Sequence, residues 1–566
     1  MSIVQPNMLR KNIRKTRRGA ALATSLVLIF AMSILSLGLI SLVNATIQMS
    51  QHRNDTTEAF NMADAGIELG LTWLTAQASP PDDSTLHPMT NFFGGNGTIS
   101  APFGQTGTTL TVRISGDSTN TTSTQKHYVI EAQGTMPSGT TQIVRAYVQQ
   151  ASFGKYAYFT VTDGAGFWDY NNHFEGPFHS NDADGLQTTI LWKSNNTANP
   201  MFTYTGDDAF SVSGNVTWWK NSIGVVGAPS STSDYKSIAA SGQPSMTTGY
   251  KTDSSGNFLL DSGGKKIPNS AQIPLPTTDY TQEYAAMGIA PPNPCNSAPP
   301  GVPTIAGATI VNNSGTVSGG IFLHGNSVVA LSVNGSGNQV ITVTQGTTIQ
   351  TITVDASNNQ TKVDKSVSGV HTVTTLTGVP NGMVYSDGNI TGLSGVIADN
   401  KVDSSGNITY RSQMTIATDL ALGKDVTLTG SITYNTPRNL AIAQSADTNF
   451  NQKAGVFGLL GDHISVADGA GPNLEFDGNI FAKTSFDAAN PVHPVGSTGT
   501  MTSIGGVITQ AAGIFAYVNS SGVLTNGYQE QYHYDSRLAD HPPPFFPTTG
   551  NHYDLLSWQR VSGMLQ

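Results

Sequence analysis

The run from Leu22 to Val43 constrains this chain more than any other stretch: it is uncharged, dominated by Leu, Ile and Val, and follows a leader whose charges are all positive. The leader's cations are Arg10, Lys11, Arg14, Lys15, Arg17 and Arg18. A helix needs roughly 20 residues, at about 1.5 Å each, to cross about 30 Å of hydrocarbon. The run is long enough, and Leu22, Leu26, Ile29, Leu35, Leu39 and Val43 are its expected membrane anchor. Its polar side chains are small ones (Thr24, Ser25, Ser33, Ser36, Ser41) whose hydroxyls can bond back to the helix's own carbonyls. With the cations on the N-terminal side, the positive-inside rule leaves that end in the cytoplasm and sends everything after Asn44 across. The expectation is a single pass through the cytoplasmic (inner) membrane with a periplasmic or extracellular body.

A cleavable secretory signal would have a shorter apolar core and a small-x-small site at its far end. Here the pattern runs on. Ala59, Phe60, Ala63, Ile67, Leu71 and Leu74 recur at three- and four-residue spacings, which predicts one helix from about Ala20 to Thr75, half in lipid and half out.

These residues resemble the N-terminal segment of type IV pilin-like proteins, and among them the PilX-type minor pilins. The likeness rests on the basic leader ending in Gly19, the start Ala20-Ala21-Leu22, the long apolar helix, and the signature Ala59, Phe60, Ala63, Asp64, Ala65, Gly66. It covers about the first 75 residues. The resemblance implies cleavage between Gly19 and Ala20 by a prepilin peptidase, and assembly with other pilin-like subunits at the inner membrane. Major pilins carry a glutamate five residues after the cut; this chain has Thr24 there. That departure points to a minor, priming or tip role rather than a bulk subunit. A plain single-pass anchor is the alternative.

Composition fits an exported chain, and no nucleic-acid partner is expected. Only 11% of residues are charged and the net charge is −10, a balance that gives no support to nucleic-acid binding. The single cysteine, Cys295, cannot form an internal disulfide.

Beyond the helix, Ser79-Pro80-Pro81 ends the helical pattern. Strand-like alternation follows in Thr109–Ile114, His127–Ala132 and Gln142–Val148. The organisation expected is a leader at 1–19, a membrane and pilin-like helix at 20–78, a small antiparallel β head at 79–150, and a body at 151–566. The body is read as mainly β: short apolar runs broken at Gly or Asp-Gly corners, as in Gly319–Asn326, Gly382–Ile390 and Gly455–Ile464. Such text suits the rungs of a parallel β-helix with hairpin insertions, with an antiparallel β-sandwich as the alternative. One turn chemistry recurs at Asp253-Ser254-Ser255-Gly256, Asp403-Ser404-Ser405-Gly406 and Asn519-Ser520-Ser521-Gly522. An Asp or Asn opens each turn and a Gly closes it, as hairpin tips do. A Thr/Val-rich hairpin insertion is expected near 333–354.

A second resemblance lies in the body. Phe174-Glu175-Gly176-Pro177-Phe178-His179-Ser180-Asn181 is similar to the Gly-Pro-Val-His-Thr-Asn motif of a domain of unknown function, DUF4900, found behind pilin-type leaders. Tyr534-Asp535-Ser536-Arg537-Leu538 resembles that domain's closing stretch. Gly176, Pro177, His179 and Asn181 are thus family-motif positions, and the resemblance implies no activity.

Catalytic signals are thin. His179 with Asp182 and Asp184 could form a hydrolytic or metal site, and Asn181 to Gly185 spaces oxygen ligands as a calcium loop does, but the terminal bidentate Glu is missing. An Asx-rich turn with a hydrogen-bonded His179 explains the same residues. No nucleophile-elbow, zinc-protease, phosphate-loop or dinucleotide fingerprint stands in a fitting context. The chain is therefore read as non-catalytic, without cofactor or metal. Trp168, Tyr170, Trp192, Trp218 and Trp219 cluster in sequence; rings in a β fold commonly plug or cap a core, whereas a row of exposed ones would grip a surface polysaccharide. The alternative function is accordingly a membrane-anchored carbohydrate-active or carbohydrate-binding β-helix protein.

Overall fold

The computed structural model describes residues 7–77, 80–81, 86–88, 98–117, 125–163, 167–181, 188–204, 210–242, 249–270, 272–292, 295–490 and 498–561, with side chains from residue 21 onward. The protein is mainly β, 45% strand and 18% helix, with one long helix at its N-terminal end. The chain divides into two compact units, one of residues 1–122, 126–149 and 553–566, the other of 123–125 and 150–552.

The helix runs without interruption over Asn7–Thr75. Its apolar part is long enough to cross a membrane and none of the most apolar window is buried. The hydroxyls inside it bond to preceding carbonyls: Thr24 to Ala21 O at 3.0 Å, Ser25 to Leu22 O at 2.9 Å, Ser33 to Ile29 O and Ser36 to Met32 O at 2.8 Å. These four hydroxyls need no partner outside the helix.

The second half of the helix packs on a six-stranded sheet. Strands Thr109–Gly116, His127–Thr135 and Thr141–Ser152 form an antiparallel meander, with Thr109 opposite Thr135 and Thr135 opposite Thr141. Leu110, Val112 and Ile114 alternate inward and are buried with Tyr128, Ile130, Ala132, Val144, Ala146 and Val148. The other edge of this meander is taken by Thr548–Val561, from the far end of the sequence. Sequence reading placed everything after 150 in the body; a strand arriving from so far away leaves no local signal of its partner.

The body is built on three ladders of parallel strands. In the first, Ile321, Val384, Ile416, Leu459, Ile480, Val507, Tyr158 and Phe178 are successive partners. Their chain neighbours Phe322, Tyr385, Ala417, Leu460, Phe481, Ile508, Phe159 and His179 form the adjacent row. The second ladder pairs Ser327, Ile390, Val426, Ile464, Phe486 and Ala512. The third pairs Ile432, Phe476, Ser503, Tyr532 and Phe174, and bridges on to Phe202 and Ala239. Apolar residues of all three ladders meet in one buried cluster.

Both faces of the first ladder are covered, which is why its strands read as unbroken apolar runs. The row from Phe322 to Phe159 lies under the short helix Tyr280–Ala286 and Phe546. The order of strands in space is not the order in sequence: after Val507–Thr509 the next neighbour is Tyr158–Thr160. Between the ladders a meander of antiparallel strands runs through Ser327–Val333, Gln339–Gln345, Thr348–Asp355, Gln360–Val367 and Val370–Thr377.

The recurring turns form as their chemistry requires. Asp253 Oδ1 accepts from the amides of Ser255 and Asn257 at 2.9 Å, Asp403 Oδ1 from Ser405 and Asn407 at 2.8 Å, and Asn519 Oδ1 from Ser521 and Val523 at 3.0 Å. Gly256, Gly406 and Gly522 follow at φ 82°, 84° and 74°, a conformation open to glycine.

Candidate functional site

The residues singled out on the helix fall into two environments. Leu22, Leu26, Ile29, Leu35, Leu39 and Val43 are exposed along its first half, Leu22 by 71% and Val43 by 47%. Gly19 and Ala20 are helical, and their side-chain surroundings lie outside the described residues. Further along, Ala59 and Ala63 are fully buried, Phe60 and Ala65 are half-buried, and Asp64 is exposed.

Gly66 explains its own place in the signature. A Cβ there would lie 2.7 Å from the Ala132 Cβ and 2.9 Å from a Leu110 methyl; at Gly70 it would lie 2.6 Å from Ile130. Gly134 on the facing strand would meet the Ala59 carbonyl at 2.2 Å. Small residues on both surfaces let helix and sheet approach closely, so Met62, Ile67 and Leu74 insert beside them. Each such side chain contributes about 1.5–3 kcal/mol when buried. The last strand completes the face: Trp558 Nε1 donates to Asp64 Oδ1 at 3.0 Å and packs edge-on against Phe60 at 5.6 Å.

In the body, the four motif positions form a buried joint. Gly176 lies where a Cβ would be 2.4 Å from the Tyr534 Cβ, and the Pro177 carbonyl accepts from the Ala157 amide at 2.9 Å. His179 is fully buried, stacked on Phe159 at 5.0 Å, with Nδ1 2.9 Å from Ser211 Oγ and Nε2 2.9 Å from Asn181 Oδ1. Asn181 in turn donates to Ile273 O at 2.6 Å. Burial, opposed by the Asn181 hydrogen bond, lowers the His179 pKa to about 4. With both ring nitrogens in hydrogen-bond contact with neighbouring segments, this buried imidazole holds them together. Asp182, Asp184 and Gly185 lie outside the described residues.

The closing stretch Tyr534–Leu538 is also structural. Arg537 forms a two-point ion pair with the fully buried Asp535, lies 4.1 Å over the Phe450 ring, and donates to Ala454 O at 2.6 Å.

Of the clustered aromatics, Trp168, Trp192 and Trp218 are core residues and Tyr170 and Trp219 are half-buried. They are brought together by a parallel sheet in which Ile190 pairs with Trp218 on one side and Trp168 on the other.

One cleft, of about 250 Å³, opens beside Trp168; Phe515, Tyr517, Tyr528, Asp169 and Glu530 are among its lining. Glu530 is buried; it accepts from Asn172 Nδ2 at 2.7 Å and from the Tyr532 hydroxyl. Burial pushes its carboxyl up to about 7 despite those two hydrogen bonds. Asp169 is likewise raised by burial, against amide hydrogen bonds from Asn171 and Asn172. Sequence reading missed Glu530: a lone glutamate in an alternating strand looks like a solvent-facing residue, and Asn172 is 358 positions away. Compared with known protein families, with curated proteins and with solved structures, the chain matches none.

Proposed function

We propose that this chain is a non-catalytic, pilin-like minor subunit of a type IV pilus or related pseudopilus, whose large β body serves assembly or adhesion outside the cytoplasm. The observation that carries the reading is the division of one unbroken helix into an apolar stretch that is exposed over residues 21–50 and a later part seated by small residues on an antiparallel sheet. An ordinary anchor has no need of a rigid helix that leaves the membrane and becomes the spine of a head domain. In this reading the leader Met1–Gly19 stays cytoplasmic, Gly19 and Ala20 flank the prepilin peptidase cut, and the body is a parallel β-helix of three ladders with hairpin insertions. The inner membrane and neighbouring pilin-like subunits are its partners. Expression beside an active prepilin peptidase tests it: wild type is shortened, whereas Gly19→Ala retains its leader. Equal sizes for the two contradict the proposal.

A second reading, a membrane-anchored protein that binds or acts on a surface polysaccharide, is favoured by the cleft that sets Trp168, Tyr517 and Tyr528 beside buried carboxyls. Retention on polysaccharide columns that disappears in Trp168→Ala, with no leader processing, would select it.

A further inference from the structure

His173, Glu175 and His533 each place a metal-ligating atom within 4.8 Å of the others. Strand register creates the group: His533 pairs with Glu175 and Gln531 with His173, so alternation turns both histidines and the glutamate to one face. Between them Phe174 and Tyr532 stack at 5.1 Å on the other face, in the core.

Neighbours hold the carboxylate and one ring of this group in place. Glu175 Oε2 accepts from His533 Nδ1 at 2.7 Å, and Glu175 Oε1 accepts from the buried Arg438 at 2.9 Å. Arg438 also donates to Tyr534 O at 3.0 Å. In the neutral tautomer that donates from Nδ1, the lone pair of His533 is on Nε2, which is buried and without a hydrogen-bond partner among the described residues. A buried acceptor left without a partner is costly, and a ligand would recover that cost. The His173 and His533 ring centroids are 5.4 Å apart. A tetrahedral dication bonded at about 2.0–2.1 Å to one nitrogen of each ring sets centroids about 5.2 Å apart.

We propose that His173 and His533 bind a nitrogen-preferring transition-metal dication of the zinc type, with Glu175 and Arg438 as positioning residues and water completing the coordination. A carboxylate holding the far nitrogen of a ligating imidazole is the usual support for such a site. Calcium and magnesium do not fit: they require several oxygen ligands, and the group's own carboxylate, Glu175, is already engaged on both oxygens.

The test is titration of the untagged, full-length chain in detergent, stripped by a chelator, with Co²⁺ and then Zn²⁺. The expected result is one equivalent of Co²⁺ with the visible bands of tetrahedral coordination, displaced by Zn²⁺. His173 is half-buried, so His173→Gln keeps the metal-free melting curve and loses the bands; Glu175→Gln keeps the bands and weakens binding about 10- to 100-fold. Absence of bands in the wild type, or bands unchanged in both His173→Gln and His533→Gln, overturns the proposal.

Discussion

At Gly66, helix and sheet are so close that a Cβ has no room, the nearest atom being 2.7 Å away. Overpacking of this kind costs about 1–3 kcal/mol, so Gly66→Val is expected to lower the melting point of the N-terminal unit. Gly38→Ala, where a Cβ meets nothing within 4 Å, is expected to leave it unchanged; equal effects would refute the packing account. The stripe Ala59, Ala63, Gly66 was legible in the sequence because helical spacing places it on one face. Glu530 and His533 were not, since their meaning lies in partners on strands hundreds of residues away. For Glu530 the consequence is pH dependence. Its carboxyl, raised from 4.5 to about 7, keeps its proton in the folded chain over a window where the unfolded chain loses it. Its contribution to stability therefore falls as pH rises through that window and levels off above it. Glu530→Gln cannot ionise, so it should gain on wild type by up to about 1.4 kcal/mol per unit between about pH 5 and about pH 7. Urea titrations followed by tryptophan fluorescence measure the gap; a gap that does not change with pH is the contrary result.

Among the elements, the strand Thr548–Val561 was the least legible. Its sequence alone groups it with the body because pairing partners are not written locally, yet its end belongs to the N-terminal unit, where Trp558 touches Asp64 and Phe60. Trp558→Ala removes an aromatic pair and a hydrogen bond, which together contribute about 1–3 kcal/mol. Limited proteolysis of the variant should cut within 98–149 sooner than in wild type, and unchanged cleavage would mean that the strand is not needed there. The helix itself was the most legible element. Its apolar run, its back-bonded hydroxyls and its later amphipathic face are all properties of neighbouring residues.

For the whole molecule, the mainly β body was readable from runs such as Gly319–Asn326, whose Ile321, Phe322 and Leu323 are all buried in the first ladder or its cover. The spatial order was not readable, because Val507 pairs with Tyr158 across the length of the body. Nothing in a rung's composition names the rung beside it. In the pilin-like role proposed above, a cytoplasmic leader is removed and a helix continuous from membrane to head carries the body into a filament. The most direct measurement is the N-terminal sequence of the mature protein from membranes of cells with an active prepilin peptidase. A chain beginning at Ala20 is the expected result; one that still begins at Met1, or is cut beyond the apolar run, contradicts the proposed role.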